Sequence, residues 1–94
     1  MMTPLTEDEI AAALKELPQW SVADGRLTTT RKLPTFLDAL DFVQKVGLLA
    51  EELNHHPDIL IRWTRVTITT CTHDAHNQLT KFDTRLAERI DALG

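Results

Sequence analysis

The sequence predicts an α+β fold in the order α-β-β-α-β-β-α, a four-stranded antiparallel sheet with its helices packed on one face. Three observations carry this. Three segments place apolar residues at helical spacing directly behind a threonine that suits an N-cap. The interval before the second and the interval before the third each hold two runs with strand-like alternation. Asp24-Gly25, the strongest short-hairpin dipeptide in the chain, sits inside the first of these intervals. Strands that arrive in hairpins pair antiparallel, and helices between hairpins then share one face of the sheet.

The first helix starts at Thr6. Thr6-Glu7-Asp8-Glu9 reads as a capping box, with Glu9 reaching back to the N-cap. Ile10, Leu14 and Leu17 form its apolar stripe, and Pro18 stops it. In the hairpin that follows, Trp20 and Val22 share a strand face, and the return strand runs from Arg26 to Leu33 with the β-favouring tract Thr28-Thr29-Thr30. The second helix follows Pro34, with Thr35 as N-cap and Asp38 at N3. Its expected buried stripe is Phe36, Leu40, Val43, Val46, Ala50 and Leu53. It should end near Asn54, because asparagine tolerates a left-handed cap and Pro57 cannot continue a helix.

In the second hairpin Ile59, Ile61 and Trp63 alternate with Asp58, Leu60 and Arg62. A turn is expected at Thr64-Arg65, after which Val66, Ile68 and Thr70 alternate with Thr67, Thr69 and Cys71. The third helix starts at Thr80 with Asp83 at N3, and its stripe is Phe82, Leu86, Ile90 and Leu93.

The 94 residues suit a single domain, 1–94. A chain of this size buries roughly 65% of its unfolded surface, enough for one two-layered core and too little for a large internal cavity. A functional site is therefore expected in a surface cleft. Ten Lys+Arg against fourteen Asp+Glu give a net charge of −4, with no basic run, which argues against a nucleic-acid partner. No apolar run is long enough to cross a bilayer, and the acidic, polar stretch Met1 to Ile10 is unlike a signal peptide. A lone cysteine, Cys71, makes no internal disulfide, so a reduced cytoplasmic setting is expected.

Chemistry concentrates in four histidines. His55 and His56 follow the second helix, and His73 and His76 follow the last strand. Each has a bland explanation: helix-dipole pairing for one of His55 and His56, strand-end exposure for His73, and a plain loop position for His76. Asp83 is accounted for as a cap, Glu51 as a helix-surface partner of His55 four residues on, and Cys71 as a small buried hydrophobe. Cys71, His73 and His76 with His55-His56 offer enough ligands for zinc, but adjacent histidines diverge on most backbones and no Cys-x-x-Cys is present. No glycine elbow supports a nucleophile and no glycine-rich loop supports a phosphate. Metal-free acid–base chemistry remains. Imidazole exchanges protons near neutrality, and two or three of them around one substrate suit the loss or addition of water.

At this point the residues resemble those of a known family. Glu51-Glu-Leu-Asn-His55-His56-Pro57, then Trp63, Val66-Thr-Ile-Thr, Thr72-His73-Asp74-Ala75, Leu79-Thr80 and Asp83 resemble the signature of the pterin-4a-carbinolamine dehydratases. The expected element order is also theirs, and the resemblance covers nearly the whole chain. It implies removal of water from a 4a-hydroxytetrahydropterin to give quinonoid dihydropterin in cofactor recycling, with no metal and no organic cofactor. It further implies that His55 and His73 are the acid–base pair and that His56 orients the pterin. Asn54, Cys71, Thr72 and Asp74 match positions that line the pterin pocket, with Glu51 and Asp83 in supporting roles. The family's subunits pair sheet to sheet, so a homodimer or homotetramer through a sheet edge is expected, with the pterin as small-molecule partner. One departure stands out. Where relatives carry a glycine-rich turn, this chain has His76-Asn77-Gln78, one residue longer, with Asn77 suited to a left-handed conformation. Two other functions share the sequence features: a protein-binding or assembly role on the same fold, marked by an exposed apolar helix stripe, and a small zinc protein.

Overall fold

A computed structural model describes residues 3–93. The elements follow in the order α1 (Glu7–Glu16), β1 (Ser21–Ala23), β2 (Arg26–Lys32), α2 (Phe36–Leu53), β3 (Asp58–Arg62), β4 (Arg65–Thr70), a 3-10 turn (His73–Ala75) and α3 (Lys81–Asp91). The four strands form one antiparallel sheet in the order β1-β2-β4-β3. The expected fold class holds. The two hairpins are local, and the sheet is joined in its middle by β2 and β4, with Leu27 opposite Thr70 and Thr29 opposite Ile68.

Local chemistry sets the element ends. Thr6 and Glu9 close the α1 capping box, with Glu9 N–H donating to Thr6 Oγ1 at 3.1 Å and Thr6 N–H donating to Glu9 Oε1 at 2.9 Å. Thr35 Oγ1 accepts the Asp38 N–H at 3.0 Å, and Asn54 ends α2 at φ 50° in the left-handed region. Asp24 and Gly25 turn the first hairpin with φ of 53° and 74°, the two positive values a tight I′ hairpin needs.

One sheet face and the helices make the core, in which Leu27, Val66 and Ile68 meet Val46, Leu86 and Ile90. Burying each such side chain contributes about 1.5–3 kcal/mol. The opposite face is lined by threonines that bond across strands, Thr28 with Thr69 at 3.1 Å and Thr30 with Thr67 at 2.9 Å. At the far end of α3, Asp91 accepts from Trp20 Nε1 at 2.9 Å and from Arg31 at 2.5 Å, tying the helix to β2.

Five local expectations are corrected. Trp20 precedes β1 and is buried, whereas Val22 in the strand is exposed, so the two do not share a face. The second hairpin turns at Trp63-Thr64, not Thr64-Arg65, because Arg62 pairs with Arg65. Trp63 takes a positive φ of 55° there and is 84% exposed, so it does not continue the Ile59/Ile61 face. In α2 the buried residues are Ala39, Val46, Leu49 and Ala50, while Phe36 and Leu40 face solvent. Val46 and Ala50 of the expected stripe are buried, and Val43 and Leu53 pack against the core, so the correction is confined to the first turns, where Ala39 is buried in place of Phe36 and Leu40. In α3, Leu93 is exposed, lying beyond the end of the helix at Asp91.

Candidate functional site

Three chain segments meet where α2 ends, β4 ends and α3 begins. The left-handed Asn54 stops α2 and redirects the chain, so His55 folds back while its backbone N–H still bonds Ala50 C=O at 3.0 Å. Thr70 continues the β4 alternation that buries Val66 and Ile68. The reciprocal cap at Thr80 then turns the Asp83 side chain inward, at the start of α3.

Asp83 is fully buried and forms the centre of this junction. Its Oδ2 accepts the Thr80 N–H at 2.9 Å and the Thr72 hydroxyl at 2.7 Å. Its Oδ1 accepts the Thr70 hydroxyl at 2.7 Å and lies 2.6 Å from His55 Nε2. A carboxylate oxygen already taking a hydroxyl proton requires the His55 nitrogen to donate, so Nε2 carries a proton. Thr70 Oγ1 lies 3.2 Å from the same Nε2. Thr80 in turn donates to Thr72 Oγ1 at 2.7 Å, because the Thr72 proton is committed to Asp83. His55 Nδ1 is left without a protein partner among the described residues. The ring is mostly buried, 12% exposed, with the Phe82 ring centroid 6.0 Å away.

His55 opens onto a cleft of about 370 Å³ lined by Leu53, Asn54, His55, His56, Cys71, Thr72, His73, Asp74 and Phe82. All three sequence-selected histidines and all four expected pocket residues line it. A larger depression of about 630 Å³ by Thr3, Leu5 and Lys81 adjoins it through Asp74 and Phe82, but it contains no histidine and offers less chemistry. His73 Nδ1 lies 2.8 Å from Asn77 Oδ1. Cys71 is buried at the cleft wall, and burial pushes its thiol above the usual range, with Arg26 opposing and Asp83 and Asp58 reinforcing. A raised thiol pKa suits a neutral wall residue and not a nucleophile.

Glu51 is a correction. It bonds His56 Nε2, not His55, because α2 ends at Leu53 and the four-residue helical spacing no longer applies. Both partners of that pair are more than half exposed, so it steadies the His56 ring without adding much to stability. His76 is the left-handed cap of the 3-10 turn at φ 57° and does not line the cleft. Among the described residues, no three of the histidines, cysteine and acids converge as a metal site.

Two contributors escaped the sequence reading. Thr70 was available as a signal, a hydroxyl on the otherwise apolar side of β4. Phe82 was assigned to the core but forms a wall of the cleft, since it comes right before the inward-turned Asp83.

The family model described as pterin 4 alpha carbinolamine dehydratase matches residues 3–93. A provisionally named pterin-4-alpha-carbinolamine dehydratase of Mycolicibacterium smegmatis is 46% identical over 92 residues, covering 98% of this chain and 97% of that one. A protein with the same provisional name from Mycobacterium tuberculosis is 45% identical over the same coverage. The crystal structure of a transcriptional coactivator/pterin dehydratase from Brucella melitensis superposes with a TM-score of 0.89 at 34% identity, over 96% of this chain and 97% of that one.

Proposed function

Since the chain belongs to the pterin 4 alpha carbinolamine dehydratase family, we propose that it removes water from a 4a-hydroxytetrahydropterin to give the quinonoid dihydropterin. The observation that carries this reading is the convergence of His55, His56 and His73 on one cleft. In the reaction the N5–H proton leaves to a base, the N5 electron pair forms the C4a=N5 bond, and the C4a–O bond breaks as an acid protonates the departing hydroxyl. His55 and His73 carry the two proton transfers, and His56 orients the ring. Such paired transfers typically supply about 10²–10⁴ in rate each. Asn54, Cys71, Thr72 and Asp74 hold the polar rim of the pterin, and Phe82 offers it an apolar face. Asp83 supports His55 by accepting its Nε2–H, which turns Nδ1 to the substrate and favours the imidazolium form, whose Nδ1–H protonates the departing hydroxyl while His73 takes the N5 proton. Glu51 steadies His56. No metal or organic cofactor enters this scheme, and the cytoplasm is its setting.

The test is stopped-flow absorbance of freshly generated 4a-hydroxytetrahydropterin with and without the protein, scored against the uncatalysed reaction. Acceleration that disappears in His73→Ala supports the reading, and an unaccelerated reaction overturns it.

A second reading, protein binding, is favoured by α2. Phe36, Leu37, Leu40 and Leu48 are exposed along its outer side, with Leu37 at 75% and Leu48 at 64%. Isolated surface leucines such as Leu48 are ordinary, but Phe36, Leu37 and Leu40 are neighbours in the first two turns of the helix, a cluster that suits a partner. That role is compatible with dehydratase activity in the same molecule, and the related Brucella melitensis protein bears both descriptions. The chain also assembles with itself, as a homodimer or homotetramer through a sheet edge, in this reading.

A further inference from the structure

We propose that Asn77 is a positioning residue for His73, taking the Nδ1 proton on its side-chain oxygen and leaving Nε2 as the nitrogen that accepts a proton in the cleft. The consequence for rate rests on the dehydratase reading. The tautomer itself is a property of the folded protein.

The turn after β4 is built to return residue 77 to residue 73. Ala75 N–H and Asn77 N–H both donate to Thr72 C=O at 3.0 Å, and Thr72 N–H donates to Gln78 C=O at 2.9 Å. His76 and Asn77 take φ of 57° and 62°, two consecutive left-handed residues that reverse the chain. Glycine at 77 meets this backbone requirement with no Cβ penalty, and asparagine meets it tolerably. The backbone therefore has no need of an amide side chain here. That amide reaches His73, with Oδ1 2.8 Å from Nδ1.

An amide oxygen only accepts, so the His73 nitrogen facing it must be protonated. In a neutral imidazole the other nitrogen then holds the lone pair. His73 is exposed, and without the amide its ring is free to exchange tautomers and rotate. One hydrogen bond thus selects the form able to accept the N5 proton. This gives the longer His76-Asn77-Gln78 turn a function at the one place where the chain departs from the glycine-rich pattern.

The experiment is long-range proton–nitrogen correlation on ¹⁵N-labelled protein, with the His73 ring neutral, in wild type, Asn77→Gly and Asn77→Asp. The expected result is a protonated Nδ1 in wild type, a mixed population in Asn77→Gly, and recovery in Asn77→Asp, which keeps an acceptor in place. Asn77→Gly relieves the left-handed backbone, so the loop is retained while the amide is lost. In turnover, its kcat should fall about three- to tenfold with KM unchanged, the range one neutral hydrogen bond supplies. Protonated Nε2 in wild type, an unchanged tautomer in Asn77→Gly, or a shifted tautomer with unaltered kcat each overturns the proposal. Wild-type protein without any dehydratase activity overturns the functional reading instead, and the spectra still decide the tautomer.

Discussion

His55 and Asp83 divide a task that neither performs alone. A buried carboxylate needs its hydrogen bonds, and Asp83 receives them from two threonine hydroxyls, one backbone N–H and one imidazole. Asp83→Asn replaces one acceptor oxygen with a donor that faces a threonine hydroxyl or the His55 N–H. It should lower stability by about 1–3 kcal/mol, the cost of unsatisfied buried polar groups, as read from the urea midpoint. An unchanged midpoint contradicts the bonding described. His55→Ala and His73→Ala should each reduce the dehydration rate at least about tenfold while circular dichroism stays native, given the usual size of acid–base effects. Wild-type rates in both folded variants remove the acid–base assignment. Cys71 supplies a pH prediction. Burial raises its pKa in the folded chain above the unfolded value, so its neutral form is favoured by folding. That contribution is fully present below the unfolded pKa and is lost as pH rises through the folded one. The native thiol should accordingly alkylate more slowly with iodoacetamide at pH 8 than the same chain in urea, and Cys71→Ala should flatten the alkaline decline in stability.

At the scale of elements, caps and turns decide where side chains arrive. Asn54 at φ 50° ends α2 and sends His55 and His56 into the cleft. Asn54→Gly should keep the thermal midpoint close to wild type, whereas Asn54→Val should cost about 1–2 kcal/mol, the left-handed penalty for a residue with a branched Cβ. Equal midpoints would show that the cap does not hold the turn. This is also the scale on which the sequence was most legible. Thr6, Thr35 and Thr80 could be read as N-caps because capping is a contact between residues three apart. The histidine cleft was legible because its members lie at element ends and fit a known signature. In α2 the stripe is legible from Val43 to Leu53, whereas its first turns differ because Ala39, which carries little hydropathic signal, is buried there while Phe36 and Leu40 face solvent. The Trp63-Thr64 turn was misplaced because tryptophan at positive φ is not a turn signal. Glu51 was given the wrong histidine because helical spacing was extended past the helix end.

For the whole molecule, the sheet ends in two strands of unequal character. β1 is three residues long, while β3 is five and carries the exposed Leu60 beside a threonine-lined face. A short edge discourages pairing, and a longer one with apolar exposure invites it. The protein is expected to sediment above the 10.7 kDa of one chain at micromolar concentration, and a monomer at that concentration would contradict assembly through the edge.

A last consequence comes from α1, which contributes no buried residue of its own, while α3 is held at both ends by Asp83 and Asp91. The molecule should therefore come apart in two stages when its amide protons are timed against deuterium. The α1 amides should exchange early, through brief detachment of that helix alone. Those of β4 and α3 should wait for complete unfolding, so the histidines keep their arrangement through most of the excursions the chain makes.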